Sequence, residues 1–372
     1  MGKNMAEDKN KTEIQNKLLE TIPSNPHGLL LISPRFGKTS LTIKIIKRDN
    51  PKKILWVTPN TKLRDEDIPN EFKLWNAEEF LEKTDIICYS SMAKLEGEYD
   101  LVVLDEYQNV TSDNCRPFFN GKIKYKNILG LSGTHPKHEE KRLIFEKLNL
   151  IVKAKYGINE AVDDSVIAPY QITCIGVPLN MIDKNVKAGN DKVTFYQTEE
   201  NAYNYHCRAI EEKKMSMGQA PMYMYLNRMK FIHNVKSKID AAKRYIDGLQ
   251  GRKLVFSSSI ENSEKISKNT YNSKTNDENL NKFINGELDI LSCVNAGGTG
   301  FTFKKVDHIV IVQVDSNQKG NTVQKIARGL VYQGKDYTSQ IHIFYCKDTV
   351  DKYWVEKSLE EFDKSKIKWL EL

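Results

Sequence analysis

The stretch Ser33–Ser40 (SPRFGKTS) constrains the fold more than any other part of the chain. It follows the apolar run Leu29–Ile32 and precedes an apolar, helix-like segment that begins at Leu41. A strand that enters a Gly-Lys-Thr turn and then a helix forms a phosphate cradle, because backbone N–H groups at the helix N-terminus point at the anion. The Lys38 ammonium would reach the β- and γ-phosphates, and the Thr39 hydroxyl would bind Mg²⁺. We therefore interpret the stretch as an ATP-binding P-loop.

This P-loop departs from the usual pattern at two positions. The full pattern has a small residue where this chain has Ile32, and many P-loops have glycine where it has Arg35. A Gly-Lys-Thr triplet also arises by chance in many proteins. The interpretation therefore needs support from other motifs of the chain.

Two adjacent carboxylates, Asp105 and Glu106, come after the apolar run Leu101–Leu104. Adjacent acids at the end of a buried strand are costly unless they face a cation or an open cleft. The P-loop supplies a reason for them. Asp105 can hold the Mg²⁺ that Thr39 also binds, and Glu106 can orient and deprotonate the attacking water. The alternative is a turn made of acids, but the order of strand, acids and P-loop favours the catalytic interpretation.

Other apolar runs of the first half also end in small or polar residues. Alternating strands and helices predict a mostly parallel sheet, whose ligands lie at the carboxyl ends of the strands. We therefore expect a ligand near Thr58, Pro59, Ser90, Ser132 and Thr134. Ser132 and Thr134 suit a switch that senses the nucleotide. Gln15, on a short amphipathic segment, could read adenine through its amide or be a surface residue of a packing helix.

The composition is that of a soluble globular protein with room for two domains. The chain has 372 residues, of which 40% are hydrophobic and 28% charged, and its net charge is +7. A basic excess suits a polyanionic partner, although a lysine-rich surface explains it equally well. The six cysteines are scattered without a metal-binding spacing, which favours a reduced compartment. We find neither an apolar run long enough to cross a membrane nor a signal-peptide core.

The chain is predicted to consist of a polar tail at 1–12, a first domain at 13–165 and a second at 166–372. Within the second, residues from about 184 to 250 are predicted to be helical, lysine-rich and aromatic. Basic residues interleaved with aromatics could bind nucleic acid, yet a packed helical face explains the aromatics at least as well.

The second domain is predicted to contain another alternating sheet. Lys253–Phe256 runs into serines that include Ser258, and Asp289–Val294 runs into a glycine-rich segment with Thr299 and Gly300. A helix-like segment further on places Gln324 and Arg328 four residues apart, on one face. An arginine so placed could stabilise charge on a transferring phosphoryl group.

Taken in order, these motifs resemble the series found in superfamily 2 helicases and translocases. The motifs are Gln15, SPRFGKTS at 33–40, VTPN at 57–60, DEYQ at 105–108, SGT at 132–134, LVFSSS at 254–259, AGGTGFT at 296–302 and QKIAR at 324–328. The glycine-rich motif and the stretch from Gln333 to Asp351 are similar to the Swi/Snf-type and phage repair-helicase branches. The resemblance implies an α/β fold of two tandem RecA-like domains, each a mostly parallel sheet with helices on both faces.

The resemblance also implies an activity and a set of site residues. The activity is a nucleic-acid-stimulated ATPase that uses ATP and Mg²⁺ to move along a strand. The implied catalytic residues are Lys38, Asp105, Glu106, Gln324 and Arg328, with Thr39 and Asp105 on the metal. The implied ATP-binding residues are Gln15, Arg35, Phe36, Gly37, Lys38, Thr39, Ser40 and Gly300. Nucleic acid would meet Thr58, Pro59, Ser90, Ser258 and Thr299, and Ser132 and Thr134 would couple the two sites.

The last motif departs from the family's Gln-x-x-Gly-Arg-x-x-Arg. Ala327 replaces the glycine and Val331 replaces the second arginine. Either Arg328 suffices, or another cation such as Arg35 or Lys335 substitutes. We expect a working ATPase, because a protein that only holds ATP has no need of Glu106. The alternatives are a nucleic-acid-binding scaffold and a motor subunit with weak or partner-dependent ATPase activity.

The expected partner is nucleic acid, with DNA favoured over RNA by the resemblance. We expect a monomer that acts with other replication, recombination or repair proteins and does not bind membranes. The Asn- and Lys-rich composition favours a cytoplasmic protein of a bacterium or of a phage-infected cell.

Overall fold

A computed structural model describes residues 5–136, 138–189, 192–294, 303, 305–314, 321–334 and 336–372. The chain divides into two compact units. The first consists of Met1–Pro169, Gly298–Thr302 and Gln318–Tyr337, and the second of Tyr170–Gly297, Phe303–Asn317 and Thr338–Leu372. The main division therefore follows Pro169, where the sequence placed the domain boundary near residue 166.

The first unit is built on a six-stranded sheet in the order β3-β2-β4-β5-β1-β6. Every pair of neighbouring strands in it is parallel. Its strands are β1 (Gly28–Ile32), β2 (Ile54–Thr58), β3 (Thr84–Cys88), β4 (Gly97–Asp105), β5 (Ile123–Ser132) and β6 (Val152–Tyr156). Parallel strands buried on both faces read as continuous apolar runs, and β2 is buried along its whole length.

Helices cover this sheet. They are α1 (Met5–Thr21), α2 (Lys38–Asp49), α3 (Ile68–Leu74), α4 (Glu78–Leu81), α5 (Tyr89–Met92), α6 (Arg116–Phe119), α7 (Glu139–Lys147) and α8 (Ile158–Asp163). Helix α2 buries four side chains, Leu41, Ile43, Ile45 and Ile46. Burial of each contributes about 1.5–3 kcal/mol to the free energy of folding. Helix α1 begins at Met5, so residues 5–12 of the predicted polar tail are helical.

The second unit is built on a seven-stranded sheet in the order β11-β12-β10-β13-β14-β7-β15, again with parallel neighbours. Its strands are β7 (Tyr170–Val177), β10 (Lys253–Ser257), β11 (Thr270–Tyr271), β12 (Ile290–Val294), β13 (His308–Ile311), β14 (Ser339–Cys346) and β15 (Ile367–Glu371). The predicted fold class, two tandem RecA-like α/β domains, is confirmed.

The helices of the second half are α9 (Glu199–Met217), α10 (Met222–His233), α11 (Lys236–Gly248), α12 (Ile260–Ile266), α13 (Glu278–Asn285), α14 (Asn321–Ala327) and α15 (Val350–Ser358). Of these, α14 lies in the first unit. In the part of the chain that the structure describes, no helix combines the length and the apolar character needed to cross a membrane.

The predicted helical segment from about 184 to 250 is wrong at its beginning. Strands β8 (Val186–Gly189) and β9 (Thr194–Gln197) pair antiparallel there. The Thr-Phe-Tyr sequence of β9 contains the β-branched and aromatic residues that favour strands. The helices start only after Thr198, whose hydroxyl accepts a hydrogen bond from the Asn201 N–H and caps α9.

Candidate nucleotide-binding site

The P-loop connects the end of β1 to the start of α2. Two of its residues have left-handed backbone conformations, Arg35 with φ 70° and Gly37 with φ 89°. A Cβ atom on Gly37 would lie 2.7 Å from both the Gln15 Nε2 and the Ser40 Oγ atoms, so only glycine fits. Helix α2 begins directly after the loop, at Lys38. At its N-terminus the free N–H groups and the helix dipole favour an anion.

Gln15 of α1 holds the P-loop in this shape. Its Nε2 donates to the carbonyl oxygen of Phe36 at 2.7 Å and to the Ser40 Oγ at 3.0 Å. Its Oε1 is buried and has no hydrogen-bond partner among the described residues. An orphaned buried acceptor beside a P-loop fits the exocyclic amino group of an adenine base.

Phe36 and Ser40 support the loop with their side chains. The Phe36 ring is fully buried against Tyr156, with 4.3 Å between ring centroids. The Ser40 hydroxyl donates to the Gly37 carbonyl at 2.8 Å. The side chains of Phe36 and Ser40, which were predicted to bind nucleotide, therefore brace the loop.

The two predicted acids lie where β4 ends. The Lys38 Nζ is 3.1 Å from the Glu106 Oε1, and both side chains are only partly exposed. The Gln108 Nε2 donates to the other oxygen of Glu106 at 2.6 Å. Both oxygens of Glu106 are thus held, which fixes the direction of its carboxylate. Glu106 has a left-handed backbone with φ 53°, an unusual conformation often found at functional sites.

Asp105 is 6% exposed, and its environment favours a nearby cation. Burial, and after it the charge of Glu106, raises the pKa of Asp105 to about 7, while Lys38 opposes the rise. A bound Mg²⁺ would favour the ionised form, and the Thr39 hydroxyl and Asp105 carboxylate are oxygen donors of the kind Mg²⁺ prefers. Among the described residues no three His, Cys, Asp or Glu side chains are grouped to hold a metal.

The other predicted residues of the first unit lie at the same carboxyl edge of the sheet, at the ends of β2, β3 and β5. Ser90 is exposed and Pro59 is half-buried, but Thr58 is fully buried and its hydroxyl has no partner within the described ranges. The Ser132 Oγ donates to the Thr134 carbonyl at 2.6 Å and accepts from the Thr134 N–H at 3.0 Å.

Two contacts at this edge were not predicted from the sequence. Gln108 orients Glu106, and its position two residues after Glu106 was the available signal. The Tyr107 hydroxyl and the His135 Nδ1 are hydrogen-bonded at 2.9 Å, which connects the DEYQ segment to the segment after β5. No spacing in the sequence links these two residues.

Helix α14 brings the last motif to the P-loop unit. The Arg35 Nε donates to the Ala327 carbonyl at 3.1 Å, and its Nη2 lies 3.5 Å from the Arg328 carbonyl. Burial, and after it the charge of Arg328, lowers the pKa of Arg35 to about 10. Gln324 is partly exposed on the same helix.

The remaining predicted residues lie elsewhere. Ser258 follows β10 in the second unit, where its N–H donates to the Gln313 Oε1 at 2.9 Å. Thr299, Gly300 and Lys335 lie outside the described residues.

Fold and comparisons together define an α/β protein with tandem RecA-like domains. Residues 237–330 match the helicase conserved C-terminal domain family. This match covers about a quarter of the chain and supports the predicted resemblance to superfamily 2 helicases, and the solved structures described next share the fold. The Swi/Snf-type or phage repair-helicase branch stays a prediction. A comparison with curated protein sequences finds no match.

Many solved structures have a similar fold, and three of them illustrate the likeness. The ATP-dependent Type ISP restriction-modification enzyme LlaBIII bound to DNA superposes with a TM-score of 0.61 at 15% identity, over 98% of this chain but only 31% of that enzyme. The Pyrococcus furiosus Hef helicase domain gives 0.54 at 13% identity, over 94% of this chain and 97% of Hef. S. cerevisiae Dbp5 bound to RNA and ADP BeF3 gives 0.56 at 13% identity, over 96% of this chain and 89% of Dbp5.

Proposed function

We propose that the chain is an ATP-dependent nucleic-acid motor that couples ATP hydrolysis to movement along DNA. The observation that carries this proposal is the contact of Lys38 with Glu106 beside the buried Asp105, at the carboxyl edge where the P-loop also lies. A phosphate-binding lysine and a held carboxylate are the two groups that hydrolysis of a phosphoanhydride needs within reach of each other.

In this proposal each residue has one task. The α2 N-terminus and Lys38 bind the β- and γ-phosphates, and Gln15 accepts from the base. Thr39 and Asp105 would hold Mg²⁺, which neutralises charge on the phosphates when bound. Glu106, oriented by Gln108, accepts the proton of the attacking water. The remaining assignments are those implied by the family resemblance: Gly300 at the nucleotide, Gln324 in catalysis and Arg328 at the transferring phosphoryl group.

The proposed track is a DNA strand that meets the carboxyl edges of the sheets. The residues assigned to the sugar-phosphate backbone are Pro59, Ser90, Ser258 and Thr299, together with the backbone around the buried Thr58. Such contacts carry no sequence information and are sensitive to salt. The likeness of the glycine-rich motif and of the stretch from Gln333 to Asp351 to the Swi/Snf-type and phage repair-helicase branches supports DNA over RNA. The fold of LlaBIII, solved on DNA, is compatible with it. Ser132 and Thr134 are assigned to coupling between the two ligands.

Steady-state ATP hydrolysis tests the proposal. The wild-type chain and Glu106→Gln are compared without polymer and with single-stranded DNA, duplex DNA or RNA, at low and moderate salt. Glu79→Gln, which changes an exposed acid of α4, is the matched control.

We expect hydrolysis to rise severalfold with DNA, to be lost in Glu106→Gln and to be kept in Glu79→Gln. If no polymer raises hydrolysis above the Glu106→Gln background, the motor proposal fails, and the scaffold or partner-dependent interpretation replaces it. If RNA alone stimulates, the proposed track is wrong.

A further inference from the structure

Arg35 stands in the P-loop, but its side chain is directed at another segment of the same unit. Its guanidinium donates to the carbonyl of Ala327, the last residue of α14, and its second nitrogen lies 3.5 Å from the carbonyl of Arg328. Carbonyl oxygens at the end of a helix carry partial negative charge and seek donors. Arg35 therefore attaches the end of α14 to the phosphate-binding loop.

The left-handed backbone at Arg35 makes this contact informative. A non-glycine residue at φ 70° is disfavoured relative to glycine. The hydrogen bond that the Arg35 side chain donates to Ala327 offsets this conformational cost. An arginine has a planar fork that can donate to two acceptors at once, which a lysine cannot reproduce. The two carbonyls of Ala327 and Arg328 are acceptors placed for that fork.

The contact joins the backbone of one arginine, Arg328, to the guanidinium of another, Arg35. The charge of Arg328 lowers the pKa of Arg35, although burial is the larger cause. Two cations held near each other repel, and an anion bound close to both relieves that repulsion. Lys38 and the N-terminus of α2, where an anion is favoured, follow Arg35 within a few residues.

We propose that Arg35 is a positioning residue that holds Arg328 at the terminal phosphate of a bound nucleoside triphosphate, so that the site distinguishes a triphosphate from a diphosphate. This inference rests on the function proposed above. In this inference a P-loop residue, Arg35, determines how well Arg328 of the last motif distinguishes the two nucleotides.

The test measures the affinity of the full chain for Mg-ADP and for a Mg-bound non-hydrolysable ATP analogue, by calorimetric titration. The variants are Arg35→Ala, Arg35→Lys, Arg328→Ala and the double variant Arg35→Ala/Arg328→Ala. The control is Arg116→Ala, which removes an exposed arginine of α6 paired with Asp113. Thermal melting of each variant shows whether the fold is kept.

We expect Arg35→Ala to lower the affinity for the ATP analogue by about tenfold or more, which is the scale of a hydrogen bond to a charged group. The affinity for ADP should stay within about twofold of the wild-type value. Arg35→Lys is expected to recover only part of the loss. The double variant should be no weaker than Arg328→Ala, because the two arginines act as one unit.

Three results overturn the inference. Equal loss of ADP and ATP-analogue affinity in Arg35→Ala would show that the residue only shapes the loop. Additive losses in the double variant would show that Arg35 acts without Arg328. Unchanged affinities would show that the contact is dispensable. If the wild-type chain binds neither nucleotide, the proposed function fails. If it binds both and only the Arg35 variants behave differently from our expectation, the inference about Arg35 fails alone.

Discussion

A buried ion pair in the second unit allows a sharp prediction about stability. The Lys238 Nζ of α11 lies 2.7 Å from the Asp351 Oδ2 of α15, and both side chains are completely buried. The same carboxylate oxygen accepts the Cys346 N–H at 2.9 Å. Burial alone lowers the pKa of Lys238, but Asp351 and Cys346 raise it above its usual value, so Lys238 is charged at neutral pH.

Replacing Lys238 by Met leaves the Asp351 carboxylate in the core without its cation. Removal of one partner from a buried pair destabilises a protein by about 3–5 kcal/mol, because the remaining charge loses its compensation. For a domain of about 150–250 residues each kcal/mol shifts the melting temperature by roughly 2–4 °C, so we expect a decrease of about 6–20 °C. Scanning calorimetry measures the shift, and hydrogen exchange of the β14 amides assigns it to the second unit.

The double variant Lys238→Met/Asp351→Leu is the decisive control. It removes both charges and leaves no unpaired ion, so we expect it to be more stable than Lys238→Met and close to the wild type. Replacement of Lys236, an exposed lysine of the same helix, by Met should change stability little. If Lys238→Met melts within about 2 °C of the wild type, Lys238 does not compensate the buried charge of Asp351 in the way we argue.

Three further predictions concern the candidate site and the second sheet. Gln108→Leu removes the donor to Glu106 and should lower the ATP hydrolysis rate by about tenfold or more while ADP affinity is unchanged, as measured by steady-state kinetics and titration. Burial, and after it the charge of His308, lowers the pKa of His342 to about 4 in the folded protein. The unfolded chain, with a histidine pKa of about 6.5, takes up the proton first as the pH falls, so acid favours unfolding. Stability should fall by on the order of 3 kcal/mol between pH 6.5 and 4 in urea titrations, and much less in His342→Phe. Removal of Mg²⁺ by a chelator should abolish hydrolysis, and Asp105→Asn should raise the Mg²⁺ concentration needed to restore it; hydrolysis that survives chelation would refute the assigned metal site.

The sequence predicts the two sheets well because both are organised by local signals. The central strands β1, β4, β10 and β12 are apolar runs that end in turn residues, and parallel strands buried on both faces carry that pattern clearly. The edge strands β6 and β15 are polar and exposed, so no such run predicts them. The error at β8 and β9 arose from a polar, aromatic segment in which helical and strand preferences differ little. The start of α1 was missed because the first residues of the chain carry no apolar periodicity.

The site divides in the same way. Lys38, Asp105 and Glu106 were predicted because they stand next to a strand end and a loop of recognisable sequence. The contacts of Arg35 with Ala327 and of Tyr107 with His135 join segments far apart in the chain, and no periodicity or propensity encodes such pairs. The burial of Thr58 and Phe36 was also hidden, since whether a residue at a strand end faces the ligand or the core depends on what packs over it.

The contact between Lys38 and Glu106 has a consequence for how the site would respond to nucleotide. At 3.1 Å the lysine holds an oxygen of the residue proposed as the base, so neither group can perform its proposed task while the pair is intact. A triphosphate offers Lys38 several charged oxygens, each worth about 1.5–3 kcal/mol as a charge-assisted hydrogen bond, and Glu106 keeps the Gln108 donor when it loses the lysine. An arriving triphosphate therefore competes successfully for Lys38. Its binding leaves Glu106 held by Gln108 alone, with one carboxylate oxygen available for water. The base thus becomes available only after the phosphates are bound, which limits hydrolysis to a loaded site.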